Sequence, residues 1–491
     1  MMSEHTPKTV QEYIDETPSW PDGTRVSDAP MTPMQWRIWM LATAGKFFEG
    51  LVVFMTGVAL PLIVVEFHLG NTEKGMVSAA TLFGILIGAT ALGGLADHFG
   101  RKLMFVVEMA LFVAFLFLVT FSSDFTWLIV GLFGLGLALG CDYPTAHMVI
   151  SESIPSTFRG RLVLSAFGFQ AIGALAGTAL GFVILKADGS VNDWRLMYAM
   201  AILPATLVVL GRFFVPQSAH WLVSKGRIPE AERELRNLLN RMPVHPKHVK
   251  LTDPDSGGGT GGGDRKPGYA KLFQKKHRRA TILASVPWFL QDLATYGIGI
   301  FTPTILASTI GATPAGQNLA SIIYGDMVAA KGAALLDVLL IVGIVCAVLL
   351  ADRTGRIRLQ VVGFIGCAAG LFLAAMSSHF GGTVKFAFIF CGFMLFNCMT
   401  NLGPNAMTYL IAGEVFPTHI RGMGAGFAAS FAKIGAVLTA FFFPILIKEI
   451  GTATLLYGLV AASLAGAVIT WRFGIETKGI NLEKLDADAP L

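Results

Sequence analysis

Charged residues are scarce in this chain. Asp, Glu, Lys and Arg supply 14% of its 491 residues against 54% hydrophobic ones, which excludes a soluble protein of this length. Cysteine is rare too. Cys141, Cys346, Cys367, Cys391 and Cys398 all fall inside apolar runs without metal-type spacing, so they read as small packing residues. The glycine-rich stretch Gly257 to Gly263 lacks the Gly-Lys-Ser/Thr and following helix of a phosphate-cradling loop, which argues against an ATP site. It reads as part of a flexible linker, Asp253 to Gly268. The residues before Met31 lack a basic start followed by an apolar core and cleavage site, so no signal peptide is expected. No apolar run holds a nucleophile–base pair or a metal cluster, so neither enzyme chemistry nor a cofactor is expected.

Long apolar runs are what the chain has. A bilayer crossing needs roughly 20 mostly apolar residues, and about twelve such runs occur, near 38–65, 76–96, 103–121, 126–150, 162–185, 196–215, 280–308, 328–351, 359–378, 384–412, 422–447 and 454–473. The predicted fold is an all-α integral membrane protein. Lys and Arg concentrate in one alternate set of connections, including Arg101, Lys102, Arg161, Arg353, Arg358 and the long gap 216–279, so both termini and that gap are expected on the cytoplasmic side of a plasma membrane. The net charge of +5 then reports topology and not nucleic-acid binding.

The chain also repeats itself. Ser151-Glu152-Ser153-Ile154-Pro155-Ser156-Thr157-Phe158-Arg159-Gly160 returns as Gly413-Glu414-Val415-Phe416-Pro417-Thr418-His419-Ile420-Arg421-Gly422, with Glu, Pro, Arg and Gly each 262 residues on. Asp97-His98-Phe99-Gly100-Arg101-Lys102 is echoed from Asp352 to Arg358. Two related six-helix halves follow, the architecture of transporters with a central site. This divides the chain into a cytoplasmic tail 1–35, a bundle 36–215, a central loop 216–279, a second bundle 280–473 and a cytoplasmic tail 474–491. In the central loop, Ile228, Ala231, Leu235, Leu238 and Leu239 recur at helical spacing and predict an amphipathic surface helix. In the fifth run, Gly173-x-x-x-Gly177-x-x-x-Gly181 reads as close helix packing.

At the predicted cytoplasmic helix ends, Asp97 with Arg101 and Glu152 with Arg159 set opposite charges side by side. Asp352, Arg356, Glu414 and Arg421 are their counterparts. Such pairs could latch the halves in one state and part in the other; the blander reading is that they only fix topology. Ionisable residues deep in the membrane are costly and each is a functional candidate. They are Glu49 with Lys46 one turn earlier, Asp142 beside Tyr143, Asp292, Asp337 and Lys433, with Glu108 and Asp326 expected nearer membrane faces. Trp288, Asp292 and Tyr296 lie four residues apart and share one helix face. Tyr143 and Asn405 stand 262 apart and should face each other across the axis relating the halves. Gln170 places a long amide at the same depth.

Asp97-x-x-Gly100-Arg101-Lys102, its echo, and twelve spans in two halves together resemble the major facilitator superfamily over essentially the whole chain. Pro216-Gln217-Ser218-x-x-Trp221-Leu222, the Gly413 to Gly422 motif and Glu476-Thr477-Lys478-Gly479 resemble its sugar-porter-type branch. Asp142-Tyr143-Pro144, Gln170, the Trp288/Asp292/Tyr296 stripe, Gly403-Pro404-Asn405 and Lys433-Ile434-Gly435-Ala436 resemble the phosphate:proton symporter family. That resemblance implies Tyr143, Gln170, Trp288, Tyr296 and Asn405 as phosphate ligands, with Glu49, Asp142, Asp292 and Lys433 handling charge and protons. Glu49 and Val52 stand where that family has two aspartates, and Lys46 and His147 are additions.

An anion held by Lys433 would be repelled by an ionised Asp292, so anion and proton should bind together, with Asp292 the first choice of proton carrier and Glu49 the second. The expectation is a proton-coupled importer of phosphate or a similar small anion, working in the bilayer as a monomer and without nucleic acid. A sugar, polyol or organic-acid transporter is the alternative, and a non-transporting nutrient sensor a remote one.

Overall fold

The computed structural model describes residues 7–16, 31–92, 95–240, 249–252, 269–309 and 319–478. The predicted linker, Asp253 to Gly268, and the chain from Gly479 onward lie outside the described residues. Apart from turns and a single bridge between Lys8 and Leu251, the described chain is helical.

The first half comprises α1 (Val10–Asp15), α2 (Pro33–Phe67), α3 (Asn71–Ile87) with a π-helical turn at Gly88–Leu92, α4 (Leu95–Phe99), α5 (Arg101–Thr120), α6 (Phe125–Ser153), α7 (Ser156–Ala187) and α8 (Asp193–Phe213). The connecting region holds α9 (Ala219–Ser224) and α10 (Ile228–Leu239). The second half comprises α11 (Arg278–Thr309), α12 (Leu319–Thr354), α13 (Arg356–Met376), α14 (Gly382–Leu402), α15 (Pro404–Glu414) and α16 (Thr418–Phe473).

Ten helical segments are long and apolar enough to cross a bilayer. One of these, α16, has 56 residues, or about 84 Å of helix against a hydrocarbon core of about 30 Å. Non-helical Gly451 (φ 77°, ψ 158°) breaks it into two crossings. Helix α11 is long enough at 32 residues but carries Gln291, Asp292, Pro287 and Pro303, which lower its apolarity. Packed against α16, α2 and α12, it supplies the twelfth crossing. The tenth crossing, read from the sequence as one run, is α14 followed by α15. It breaks at Gly403-Pro404, because proline cannot donate to the preceding turn.

The halves meet where α2 packs on α11, α3 on α16, and α7 on α12. Within the first half, α7 lies so close to α2 that a Cβ at Gly173 or Gly177 would strike the backbone carbonyls of Phe47 and Leu51. This close approach sets Glu49 beside Gln170, one turn before Gly173.

One face of the bundle carries two matching charge triads. Arg101 binds Asp97 at 2.8 Å and Glu152 at 3.1 Å; Arg356 binds Asp352 at 2.9 Å and Glu414 at 3.2 Å. The expected partnership of Glu152 with Arg159 does not form. Arg159 donates to Gln11 Oε1 (2.9 Å) and to the Ile154 carbonyl, as Arg421 donates to the Phe416 carbonyl, its equivalent 262 residues on. Each triad stays within one half, because the Asp and Arg are four residues apart across the junction of two consecutive helices and the Glu comes from the next crossing of the same repeat. They are not direct latches between halves. A cross-half ion pair on this face is Arg161–Asp352 at 3.7 Å, both side chains exposed.

The segments after each half complete the triads in the same way. Gln217 accepts from the Lys102 amide, and Ser218 donates to Glu152. Glu476 accepts from the Arg356 and Ile357 amides, and Thr477 donates to Glu414 (2.6 Å). Gly100 (φ 101°) and Gly355 (φ 94°) precede the capped helices; besides their left-handed backbone, a Cβ would lie 2.6 Å from Gln217 and 2.5 Å from Glu476.

The apolar face of α10 is buried as its spacing predicts, through Ala231, Leu235, Leu238 and Leu239. It belongs to a cluster with Val10, Tyr13 and Ile14 of α1 and Val249 and Leu251. The amino-terminal segment reaches further: Asp15 accepts from both the amide and the hydroxyl of Ser156 at the start of α7.

Candidate functional site

A cavity lies between the halves, and the side chains singled out in six different crossings converge on it. Helix α2 contributes Lys46 and Glu49, α6 contributes Tyr143 and α7 contributes Gln170. From the other half come the α11 stripe Trp288, Asp292 and Tyr296, then Asn405 from the first turn of α15 and Lys433 from α16. Glycines again set the spacing, since a Cβ at Gly50 would strike the Gln170 carbonyl oxygen.

The Glu49 carboxylate is the centre of the network. Its Oε1 accepts from the Tyr296 hydroxyl (2.8 Å), from Gln170 Nε2 (3.3 Å) and from Lys433 Nζ (3.3 Å), while its Oε2 accepts from Lys46 Nζ (2.6 Å). Lys433 also donates to Tyr296 (2.6 Å) and lies 3.2 Å from Asp292 Oδ2. Gln170 Nε2 donates to the Tyr296 hydroxyl as well, at 2.9 Å. Two ammonium and two carboxylate groups therefore share one dry site with no formal net charge, and Glu49 and Asp292 are 4% and 2% exposed. Asn405 donates to Asn401 (2.6 Å) and accepts from Gln291 (3.0 Å), so its amide is oriented from behind.

Asp142 behaves differently from its expected companions. It forms a buried ion pair with Arg212 of α8, whose guanidinium also donates to the carbonyls of Phe105 and Leu41. Glu108 is buried next to it, accepting from Thr145 at 2.9 Å. Sequence reading missed Arg212, although an arginine inside the sixth apolar run was the available signal. Asp337 sits apart, accepting from Thr178 of α7 (2.9 Å) across the seam between the halves.

Tyr409 was also missed, although it stands 262 residues after His147, the offset that relates the two halves. Its ring stacks on Phe167 (4.8 Å between centroids) and stands edge-on to Tyr143 (6.0 Å) and Trp288 (6.3 Å). It plugs the cavity on the side of the charge triads. On the opposite side the halves touch backbone to backbone: a Cβ at Gly57 would strike the Ile300 carbonyl, and one at Gly75 the Phe441 carbonyl.

Two homologous helical halves around an enclosed, charged cavity define a membrane transporter of small molecules, not an enzyme. The family described as "Sugar (and other) transporter" matches residues 38–489, and the chain belongs to it, within the major facilitator superfamily. Among solved structures it is similar to the xylose transporter XylE from E. coli in a partially occluded inward open conformation: TM-score 0.73, 19% identity, 92% of this chain and 100% of that one. Among relatives, the niacin transporter NiaP of Acinetobacter baylyi is 24% identical over 94% of this chain and 99% of its own length. The "probable inorganic phosphate transporter 1-12" of Oryza sativa subsp. japonica is 27% identical over 84% of this chain and 82% of its own.

Proposed function

We propose that the protein is a proton-coupled symporter that imports inorganic phosphate or a similar small oxyanion by alternating access. One observation carries the reading. Gln170, Tyr296 and Lys433 already converge on a carboxylate oxygen, that of Glu49, at 2.8 to 3.3 Å. Donors arranged to satisfy one tethered oxyanion suit a second, diffusible one of the same chemistry. An arriving anion competes with Glu49 for these donors, and Tyr143, Trp288 and Asn405 complete its surroundings.

The charge balance supplies the coupling. Lys46 and Lys433 offset Glu49 and Asp292, so an anion entering alone leaves an uncompensated negative charge in a water-poor site, which is costly. Entry with a proton restores neutrality, and Asp292, held by Lys433 alone, is the acceptor, with Glu49 second. Asp142 is neutralised by Arg212 and anchors α6 to α8. The triads of Asp97, Arg101 and Glu152 and of Asp352, Arg356 and Glu414, with Arg159 and Arg421 beside them, stiffen each half's cytoplasmic end so that it rocks as a unit. The Lys and Arg distribution supports a cytoplasmic position for that face, both termini and the 216–279 region, in a protein of the plasma membrane that transports as a single chain.

Addition of phosphate to proteoliposomes is expected to drive proton entry with the wild type, and Asp292→Asn is expected to reduce this about tenfold or more while leaving phosphate exchange measurable. Undiminished proton entry in Asp292→Asn would sink the coupling role. The resemblance to NiaP favours an organic carboxylate as a second reading, and proton entry on adding nicotinate but not phosphate would select it. A response to xylose alone would overturn the oxyanion reading altogether.

A further inference from the structure

A second cavity lies directly on the triad side of the first. Lys46, Glu49, Tyr143 and Phe167 line both, so the partition between them is one lysine, one carboxylate and two aromatic rings. Lys46 rests 4.1 Å above the face of the Tyr143 ring, and Tyr409 stands against its edge. Beyond the partition the wall carries His147, one helical turn after Tyr143 on the same face of α6, with its ring 6.3 Å from that of Tyr409. His147 is exposed to solvent while the central Trp288, Asp292 and Tyr296 are buried. By accessible surface, the second cavity is the more open of the two.

His147 takes no part in the central cluster, and Lys46 meets that cluster only at the far oxygen of Glu49, yet both line the second cavity, on the route by which a ligand leaves the first. From these positions we infer that the protein carries a second oxyanion subsite, formed by Lys46, Tyr143, His147 and Tyr409, which receives the anion between the central cavity and the cytoplasm. The inference rests on the oxyanion reading above. An anion leaving Lys433 would otherwise cross a stretch walled by Tyr143, Phe167 and Tyr409, where an unpaired charge is costly. Lys46 removes that gap. Its ammonium reaches both cavities, bound to Glu49 from the side opposite Lys433, so an anion that displaces Glu49 can pass from one lysine to the other without losing a cationic partner. An imidazole N–H and the Tyr409 hydroxyl then supply neutral donors, weak enough to release into water. Asp142 lines the same cavity but is neutralised by Arg212, so it does not repel the ligand.

The test compares His147→Leu and His147→Gln with the wild type in oriented proteoliposomes, measuring half-saturating concentrations separately at the two faces, with inorganic phosphate and with nicotinate as probes. His147→Leu is expected to raise the half-saturating concentration at the cytoplasmic face about fivefold and to leave that at the outer face within about twofold. The ratio of maximal influx to maximal efflux falls in the same proportion, as the equilibrium balance of a carrier requires. His147→Gln, which keeps an N–H donor, restores most of the difference. A structural defect would instead lower maximal rates in both directions and move neither half-saturation. That result, or equal shifts at both faces, overturns the subsite and leaves the oxyanion reading standing. A wild type that transports neither probe overturns both.

Discussion

Arg212 shows how a single residue can be passed over in a sequence and be decisive in a fold. It is fully buried, and its partners Asp142, Phe105 and Leu41 come from three other helices. Removing one member of such a pair strands the other charge, so Arg212→Met is expected to destabilise the protein by about 3–5 kcal/mol, read as a lower unfolding temperature in detergent. The double variant with Asp142→Asn should recover much of that loss. At the ligand site, Lys433→Met removes a charged donor shared by Tyr296, Glu49 and Asp292, and uptake should require about tenfold more substrate or worse. Glu49, Asp292 and Lys433 were legible in the sequence because charge inside an apolar run is conspicuous. Tyr409 was not, because one more aromatic in an apolar helix carries no mark of the neighbours it will stack on.

Among the elements, those defined by local periodicity were the most readable. The spacing of Ala231, Leu235 and Leu238 announced α10, and the glycine triplet announced the close approach of α7. Because a Cβ at Gly177 would strike the Leu51 carbonyl, Gly177→Leu should push α2 away from α7 and cost at least about 1–3 kcal/mol. Loss of monodisperse protein on gel filtration would report it. Glu476→Ala withdraws an oxygen from two amides at the start of α13, a capping loss of about 1 kcal/mol, and thermal unfolding would detect it. Pairings made by tertiary packing were less legible. Glu152 and Arg159 are one repeat motif in sequence, yet the carboxylate turns to Arg101 and the guanidinium to Gln11 in an amino-terminal segment that carried no obvious signal.

At the scale of the molecule, two halves close on one side and are lightly joined on the other. The side opposite the triads is sealed where Gly57 meets Ile300 and Gly75 meets Phe441. Gly57→Trp should therefore prevent that closure and hold the cavity open on that side, so that uptake is abolished while substrate binding persists; retained uptake would contradict it. On the triad side, Arg161 and Asp352 are 74% and 52% exposed, and such a pair contributes at most about 1 kcal/mol. Arg161→Ala is expected to change folding stability by no more than that, as thermal unfolding would show.

Composition, repeat and charge placement by themselves determined that this chain crosses a membrane about twelve times in two related halves, because burying polar backbone in lipid permits little except helices of a set length. They also marked most of the polar side chains that line its centre, since intramembrane charge is too costly to be incidental. Only the tertiary structure decided which carboxylate meets which cation. Those choices depend on distances between helices far apart in sequence, fixed here by glycines that let backbones touch and by the seam that brings Lys433 of one half to Glu49 of the other.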